Sequence, residues 1–287
     1  MTIAVVTDTN SGISVDECKQ LGISVIPMPV LIDGETYYEG INLTQNQFLQ
    51  AMREKRSIST SQPAPGEVLG LWNRLLETHG AVLYIPMSSA LSTSYQTALA
   101  LAGDYGGRVQ VVDYRSISVP MRYAVMDAVA MADRGWSAVQ IKAELEKTAK
   151  DTTILVGVDT LEFLRKGGRI TAAAAKMAAV LQIKPILQIH GERLDAFAKV
   201  RGIRNCKKRL IEEMGHYVEL CQKGNEPFSI GAAGSFTDQA AQQEWIDITQ
   251  AAFPKEKIRY DPLAFSLAAH VGPNAFGMAI CKRFGGA

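Results

Sequence analysis

Cysteine and histidine are scarce in this chain of 287 residues. Its four cysteines, Cys18, Cys206, Cys221 and Cys281, lie far apart and form no C-x-x-C pair. A zinc ribbon or dithiol redox site is therefore not expected, and the thiols read as small buried hydrophobes. The four histidines (His79, His190, His216 and His270) are too scattered for a multi-histidine centre, so no metal is expected. An excess of one charge is also missing. Lys and Arg number 30 against 29 Asp and Glu, which gives no support to a nucleic-acid partner. No apolar run reaches the ~18 residues of a membrane span; Ala172–Leu181 is interrupted by Lys176. Ile3–Val6 is too short for the core of a signal peptide, so a cytoplasmic protein is expected. Neither G-x-x-x-x-G-K-[ST] nor G-x-G-x-x-G occurs, and H-E-x-x-H and G-x-S-x-G are absent as well.

What is present is the composition of a globular protein, 47% hydrophobic and 21% charged, long enough for one large or two ordinary domains. The first half alternates strand and helix signals. Strands are expected at Ile3–Val6, Ser24–Ile32, Ala81–Ile85 and Val109–Val112, with an Asp33-Gly34 hairpin turn after the second. Capping boxes at Ser14/Glu17, Thr44/Gln47 and Ser137/Gln140 open helices. Further helices are expected from Pro65 to His79, Ser92 to about Gly103 and Val119 to Arg134. This order predicts a largely parallel, Rossmann-like sheet with helices on both faces. Asp8, Ser88, Ser89 and Asp113 each follow a strand, at the edge where open α/β sheets bind ligands.

The second half reads as an α/β sandwich. Strands are expected at Thr153–Val158, Ser229–Ala233, Lys257–Tyr260 and Phe276–Cys281, with a hairpin around His190-Gly191-Glu192. Helices are expected at Leu161–Ile170, Ala172–Leu181, Ile203–Cys221 and Gln239–Ala252. The pattern changes near Lys150-Asp151, which sets expected domains at 1–150 and 151–287.

Five clusters carry hydroxyls, glycines or isolated charges. Thr60-Ser61-Gln62-Pro63-Ala64-Pro65-Gly66 combines hydroxyls with a stiffened turn into a helix; helix capping alone also accounts for it. Ser88–Tyr95 holds more hydroxyls than one cap needs, at a helix start suited to an anion. Lys166-Gly167-Gly168-Arg169 offers a close bend and a bidentate cation, or simply a tight turn. Lys199-Val200-Arg201-Gly202 presents the same choice. His270-Val271-Gly272-Pro273 places a histidine in what reads as a rigid loop facing a cleft.

In order along the chain, these segments resemble the DegV family. The matching residues are Thr7-Asp8-Thr9-x-Ser11, Thr60-Ser61-Gln62-Pro63, Ser88-Ser89-x-Leu91-Ser92-x-Ser94-Tyr95-Gln96, Lys166-Gly167-Gly168-Arg169-Ile170, Ile183-Lys184-Pro185-Ile186-Leu187, Lys199-Val200-Arg201-Gly202 and His270-x-Gly272-Pro273. The resemblance implies two α/β domains with a long-chain fatty acid bound between them. It implies the lipid-binding subunit of a bacterial fatty acid kinase, which is not an enzyme on its own. A separate kinase subunit related to dihydroxyacetone kinase would form the acyl phosphate. ATP and Mg²⁺ would belong to that partner, and this chain would need no cofactor. Transient contact with a membrane surface fits the same role. The carboxylate would meet Thr60, Ser92 and His270, with Ser61, Thr93 and Arg201 nearby, and Arg169 would assist phosphotransfer. Ala172–Ala179 is a candidate tunnel wall, with helix packing the expected role of any single alanine. Two rival readings remain: a stand-alone phosphotransferase or hydrolase using Asp8, Ser92 and His270, and a lipid carrier or regulator without a kinase. The chain departs from the family pattern at Thr93, at Tyr114, Pro120 and Arg122 in Asp113-Tyr114-x-x-x-Ser118-x-Pro120-x-Arg122, and at Asn274. Pro120 and Arg122 are expected to alter the shape of the acyl pocket.

Overall fold

The computed structural model describes residues 2–175, 183–190 and 193–285. The apolar run at the start forms β1 (Ile3–Asp8). Helix α1 (Val15–Leu21) follows, then β2 (Ser24–Ile26), β3 (Pro29–Ile32), β4 (Glu35–Tyr38), α2 (Gln45–Arg53), β5 (Ile58–Thr60) and α3 (Pro65–Leu76). Next come β6 (Ala81–Ile85), α4 (Ser94–Ala102), β7 (Val109–Val111), α5 (Ser118–Asp133) and α6 (Ala138–Thr148). All three expected capping boxes form, at the starts of α1, α2 and α6.

The parallel sheet runs β2-β1-β6-β7. Alternation of side chains divides its two apolar faces. Val5, Leu83 and Ile85 pack with α5 and α6, while Ala4, Val6, Val82 and Tyr84 pack with Trp72 of α3 and Ala98 of α4. The single strand expected over Ser24–Ile32 is instead two strands in different sheets. Pro27 and Pro29 have no N–H to give a continuous ladder, so the chain leaves the parallel sheet there. Strand β3 then enters a small antiparallel sheet ordered β4-β3-β5. Its hairpin turn has Asp33 at φ 52° and Gly34 at φ 91°, as a two-residue turn with both centres left-handed requires. Strand β5 carries no sequence signal beyond Ile58. Helix α3 ends at Leu76 rather than His79, and α4 begins at Ser94, leaving Ser92 in the preceding loop.

The later elements are β8 (Thr153–Gly157), α7 (Glu162–Gly167), α8 (Ala172–Ala175), β9 (Ile183–His190), β10 (Arg193–Arg201), α9 (Ile203–Lys223), β11 (Phe228–Gly234), α10 (Gln239–Ala252), β12 (Arg259–Pro262), α11 (Phe265–Val271) and β13 (Phe276–Lys282). The rest of the alanine-rich helix, 176–181, and the tip Gly191-Glu192 lie outside the described residues. Six strands form a mixed sheet ordered β10-β9-β8-β13-β11-β12. Leu155, Ile186, Ile230, Phe276 and Ile280 face α9 and α10. Helix α11 was not expected: only its end, from His270, was read, and as a loop. It packs Phe265 and Ala268 against the small sheet and α2, with Phe265 stacked on Phe48 at 4.6 Å. Residues 29–60 therefore lie against α11.

Helix α5 joins the two large sheets. Arg122, 2% exposed, donates through Nε to Asp261 at 2.7 Å and through Nη1 to Glu17 at 2.9 Å. Arg259 donates to the same two carboxylates at 2.9 and 2.7 Å. One turn and a half further on, Asp127 accepts from Arg283 Nη2 at 2.6 Å. These pairs bind α1 and α5 to β12 and to the residue after β13. Arg122 thus points away from the ligand cleft, contrary to the expectation that it reshapes the pocket: a guanidinium needs buried acceptors, and Asp261 and Glu17 supply them. Arg122→Ala leaves Asp261 buried with half its pairing and should cost about 3–5 kcal/mol. Chemical denaturation measures this, and a loss below about 1 kcal/mol would contradict a bridging role.

Candidate ligand cavity and its polar mouth

A cavity of about 390 Å³ lies between the strand ends of the parallel sheet and the open face of the mixed sheet. Its floor follows from a period-two pattern on β11 and β13. Gly231 and Ala233 alternate with Ile230 and Ala232, and Gly277 and Ala279 alternate with Phe276, Met278 and Ile280. The larger of these side chains face α9 and α10, and the smallest face the cavity. At Gly231 a Cβ would stand 2.6 Å from Val119 Cγ1, so glycine lets the start of α5 close one wall. Met28, Met87, Ile117, Ile154, Val156 and Leu194 supply much of the apolar lining. Pro120 lines it as well, so this departure does face the ligand space. Ala172–Ala175, expected to form a tunnel wall, are not in that lining; Ala174 is packed in the core, and 176–179 lie outside the described residues.

Thr60, Ser61, Ser92, Thr93, Arg169 and His270 all line this cavity. Thr60 is the last residue of β5, and its Oγ1 lies 2.8 Å from His270 Nε2. His270 stands in the last turn of α11 rather than in a loop. Helix α11 is fastened at its start by the Glu39 carboxylate, which accepts from Phe265 N–H at 2.8 Å. Burial pushes that carboxyl up to about 7. Burial, reinforced by the positive charge of Arg169, pushes the His270 imidazolium down to about 4. The ring is neutral at pH 7, able to donate at one nitrogen and accept at the other.

The paired glycines have separate tasks. A Cβ on Gly167 would overlap His270 Nδ1, so the first must be glycine for the ring to sit against the backbone. Gly168 takes φ 68° as the C-cap of α7 and redirects the chain. Arg169 then donates through Nε to Leu91 O at 3.2 Å and through Nη1 to Gly167 O, spanning from α7 to the loop before α4. Ser92 Oγ accepts from Ser94 N–H at 3.2 Å and lies 2.8 Å from Ser94 Oγ. Gln62 completes the ring of contacts: its Oε1 accepts from Thr93 at 3.0 Å and Thr97 at 2.9 Å. That tie holds the Thr60 segment against the start of α4. Both residues lie in segments the sequence singles out, but only their partners reveal what Gln62 and Gly167 position.

Arg201 does not join this group. It ends β10 opposite Ile183, whereas Leu194, seven residues earlier on the strand, lines the cavity. At ~3.3 Å per residue the separation is roughly 23 Å. Asp8 is fully buried but does not line the cavity either. Its carboxylate accepts from Asn10 N and Nδ2 at 2.9 Å each and from Met87 N at 2.7 Å. Burial raises it to about 6. An Asp8–His270–Ser92 relay is therefore not built: His270 Nε2 faces Thr60, and Asp8 is occupied by backbone and Asn10 donors. Asn274, where a glycine is usual, adopts φ 58° and accepts from Thr237 N and Oγ1, both at 3.1 Å. Asparagine tolerates that conformation, so the loop keeps its path. Among the described residues no three His, Cys, Asp or Glu side chains cluster as metal ligands.

The site thus joins an apolar cavity to hydroxyls, a neutral imidazole and one arginine. The family model described as "Uncharacterised protein, DegV family" matches residues 2–283. A DegV domain-containing protein of Deinococcus radiodurans is 32% identical over 281 residues, covering 98% of each chain. One from Listeria monocytogenes is 32% identical over 282 residues, covering 96% of this chain and 97% of its own. Among solved structures, a fatty-acid-binding DegV family protein from Thermus thermophilus matches with TM-score 0.87 and 29% identity, over 98% of this chain and 100% of that one. DegV of Bacillus subtilis, a fatty acid binding protein, matches with TM-score 0.86 and 27% identity, over 99% and 100%. The chain belongs to the DegV family.

In ligand-free protein the His270 ring protons should titrate near pH 4 by NMR. Because that value lies below the ordinary 6.5, the neutral ring's contribution to stability is complete above about 6.5 and declines as pH falls towards 4. Gly167→Ala should displace the ring and move its midpoint upward. An unchanged midpoint in the variant would remove the glycine from the mouth's architecture.

Proposed function

We propose that this chain binds a long-chain fatty acid, with the tail in the cavity and the carboxylate at Thr60, Ser92 and His270. The reading is supported above all by the joining of one apolar cavity to one polar mouth. A tail of ~14 methylenes gains roughly 11 kcal/mol on burial at ~0.8 each, before ordering losses. That gain survives only if the carboxylate is hydrogen-bonded as it leaves water. The contacts at the mouth suit that need. With His270 Nε2–H donating to Thr60 Oγ1, the threonine proton is released towards an incoming carboxylate. With Ser94 donating to Ser92 Oγ, the Ser92 proton is released in the same way. The neutral imidazole thus orients a donor without adding a buried charge. Ser61 and Thr93, both exposed, stand at the rim.

The same reading makes the chain the lipid-presenting subunit for a separate kinase related to dihydroxyacetone kinase. The partner supplies ATP and Mg²⁺ and transfers phosphate to the carboxylate, giving an acyl phosphate. Arg169 uses Nε and Nη1 on carbonyl oxygens. In this reading its Nη2 stabilises the negative charge that builds during transfer. A carrier without a kinase would use the same cavity, and only the transfer step separates the two.

Thr60→Ala and Ser92→Ala should each weaken retention of hexadecanoic acid about tenfold, the scale of a lost hydrogen bond to a charged group. Solvent extraction and mass spectrometry of the purified variants read this, and full lipid content in both would refute the head-group assignment. Arg169→Ala should keep its lipid and lose acyl phosphate formation with a cognate kinase. Wild-type turnover in that variant would take Arg169 out of the transfer step.

A further inference from the structure

A second cavity, of about 560 Å³, adjoins the first; Ile154 and Ile189 line both. Apart from Ala149 the rest of its lining carries polar groups: Tyr95, Asp113, Arg115, Ser116, Glu146, Lys150 and Thr152. The segment between β7 and α5 forms part of the partition. Asp113, Arg115 and Ser116 face the second cavity, while Ile117, Ser118 and Val119 face the first. Arg115 and Ser118 both hold left-handed backbone, at φ 52° and 54°, a conformation that side-chain-bearing residues adopt at a cost.

The donors and acceptors in this cavity are unequally satisfied. Asp113 accepts from Ser89 Oγ at 2.9 Å and Arg115 Nε at 3.2 Å. Glu146 accepts from Asp113 N at 3.0 Å and from Lys142. Both carboxylates are thus occupied by protein donors. The Arg115 guanidinium is engaged only through Nε, which leaves both amino groups, and Lys150 Nζ makes no described contact. Ser116 is 1% exposed, and its Oγ has no hydrogen-bond partner. Arg115 and Lys150 are exposed to solvent, whereas the Ser116 hydroxyl is buried and unpaired, which is costly; an acceptor-rich anion would pair that hydroxyl and bridge it to the two cations at the cavity's edge.

We propose that this second cavity binds a small oxyanion, a carboxylate or phosphate, held by Arg115, Lys150 and Ser116. The anion is either free or is a second acid group on a ligand whose chain lies in the first cavity. The latter source builds on the fatty-acid reading, and the former does not.

The test uses the delipidated full chain with three probes: inorganic phosphate followed by phosphorus NMR, and hexadecanedioic and hexadecanoic acids followed by calorimetry. Phosphate binding that weakens about tenfold in Arg115→Gln or Lys150→Gln supports the free anion, one lost charged contact being worth about that factor. Hexadecanedioic acid binding about tenfold tighter than hexadecanoic acid, with the advantage lost in the same variants, supports the tethered acid. Ser116→Ala should reduce whichever signal is seen. No phosphate binding and no dicarboxylate advantage, or binding that both cation variants leave intact, overturns the site. Hexadecanoic acid serves as the separate control: if it fails to bind while phosphate binds, the fatty-acid reading falls and the oxyanion site stands.

Discussion

The ion pairs that Arg122 makes with Asp261 and Glu17 tie α5 and α1 to β12, and the start of α5 walls the ligand cavity. Two sheets with apolar edges would ordinarily collapse until their side chains interlock. Here α5 stands between them, fixed by charge to β12 and α1 and by Asp127 to Arg283. On the far side of that strut the mixed sheet presents Gly231, Ala233, Gly277 and Ala279, which are too small to fill the gap. A rigid support beside a run of minimal side chains leaves a void whose lining is largely apolar.

In the function we propose, the mouth would meet a negative charge without burying a positive one directly against it. His270 is kept neutral by burial and by Arg169, so it works as an orienting group for Thr60. Arg169 is held off by two backbone carbonyls. The Gly167-Gly168 pair makes both placements compatible, since one glycine admits the imidazole and the other turns the chain so that the arginine returns towards Leu91.

Local signals translated well wherever the chain could satisfy itself over a few residues. The capping boxes at Ser14, Thr44 and Ser137 and the Asp33-Gly34 turn form as read, because each is a contact between near neighbours. The split at Pro27–Pro29 and helix α11 were not legible in the same way. An apolar stretch such as Phe265–Val271 is ambiguous until a partner surface is supplied, here α2 and the small sheet. Among the site residues, six of the seven anticipated line one cavity. Arg201 does not, because its motif marks the end of a long edge strand, and strand length carries it away.

The amino-acid order by itself determined the strand–helix alternation, the missing nucleotide cradle and the chemical types gathered in the hydroxyl, glycine and arginine clusters. These follow from spacing and from residue chemistry alone. The tertiary structure decided which clusters meet, that Asp8 stays apart from His270, that Arg122 braces α5, and that a polar chamber lies beside the apolar one. Those outcomes depend on contacts between residues far apart in the chain, 242 positions for Glu17 with Arg259 and 256 for Asn10 with Ser266. At that range the pairing is chosen by how whole sheets and helices pack, which no short stretch of sequence encodes.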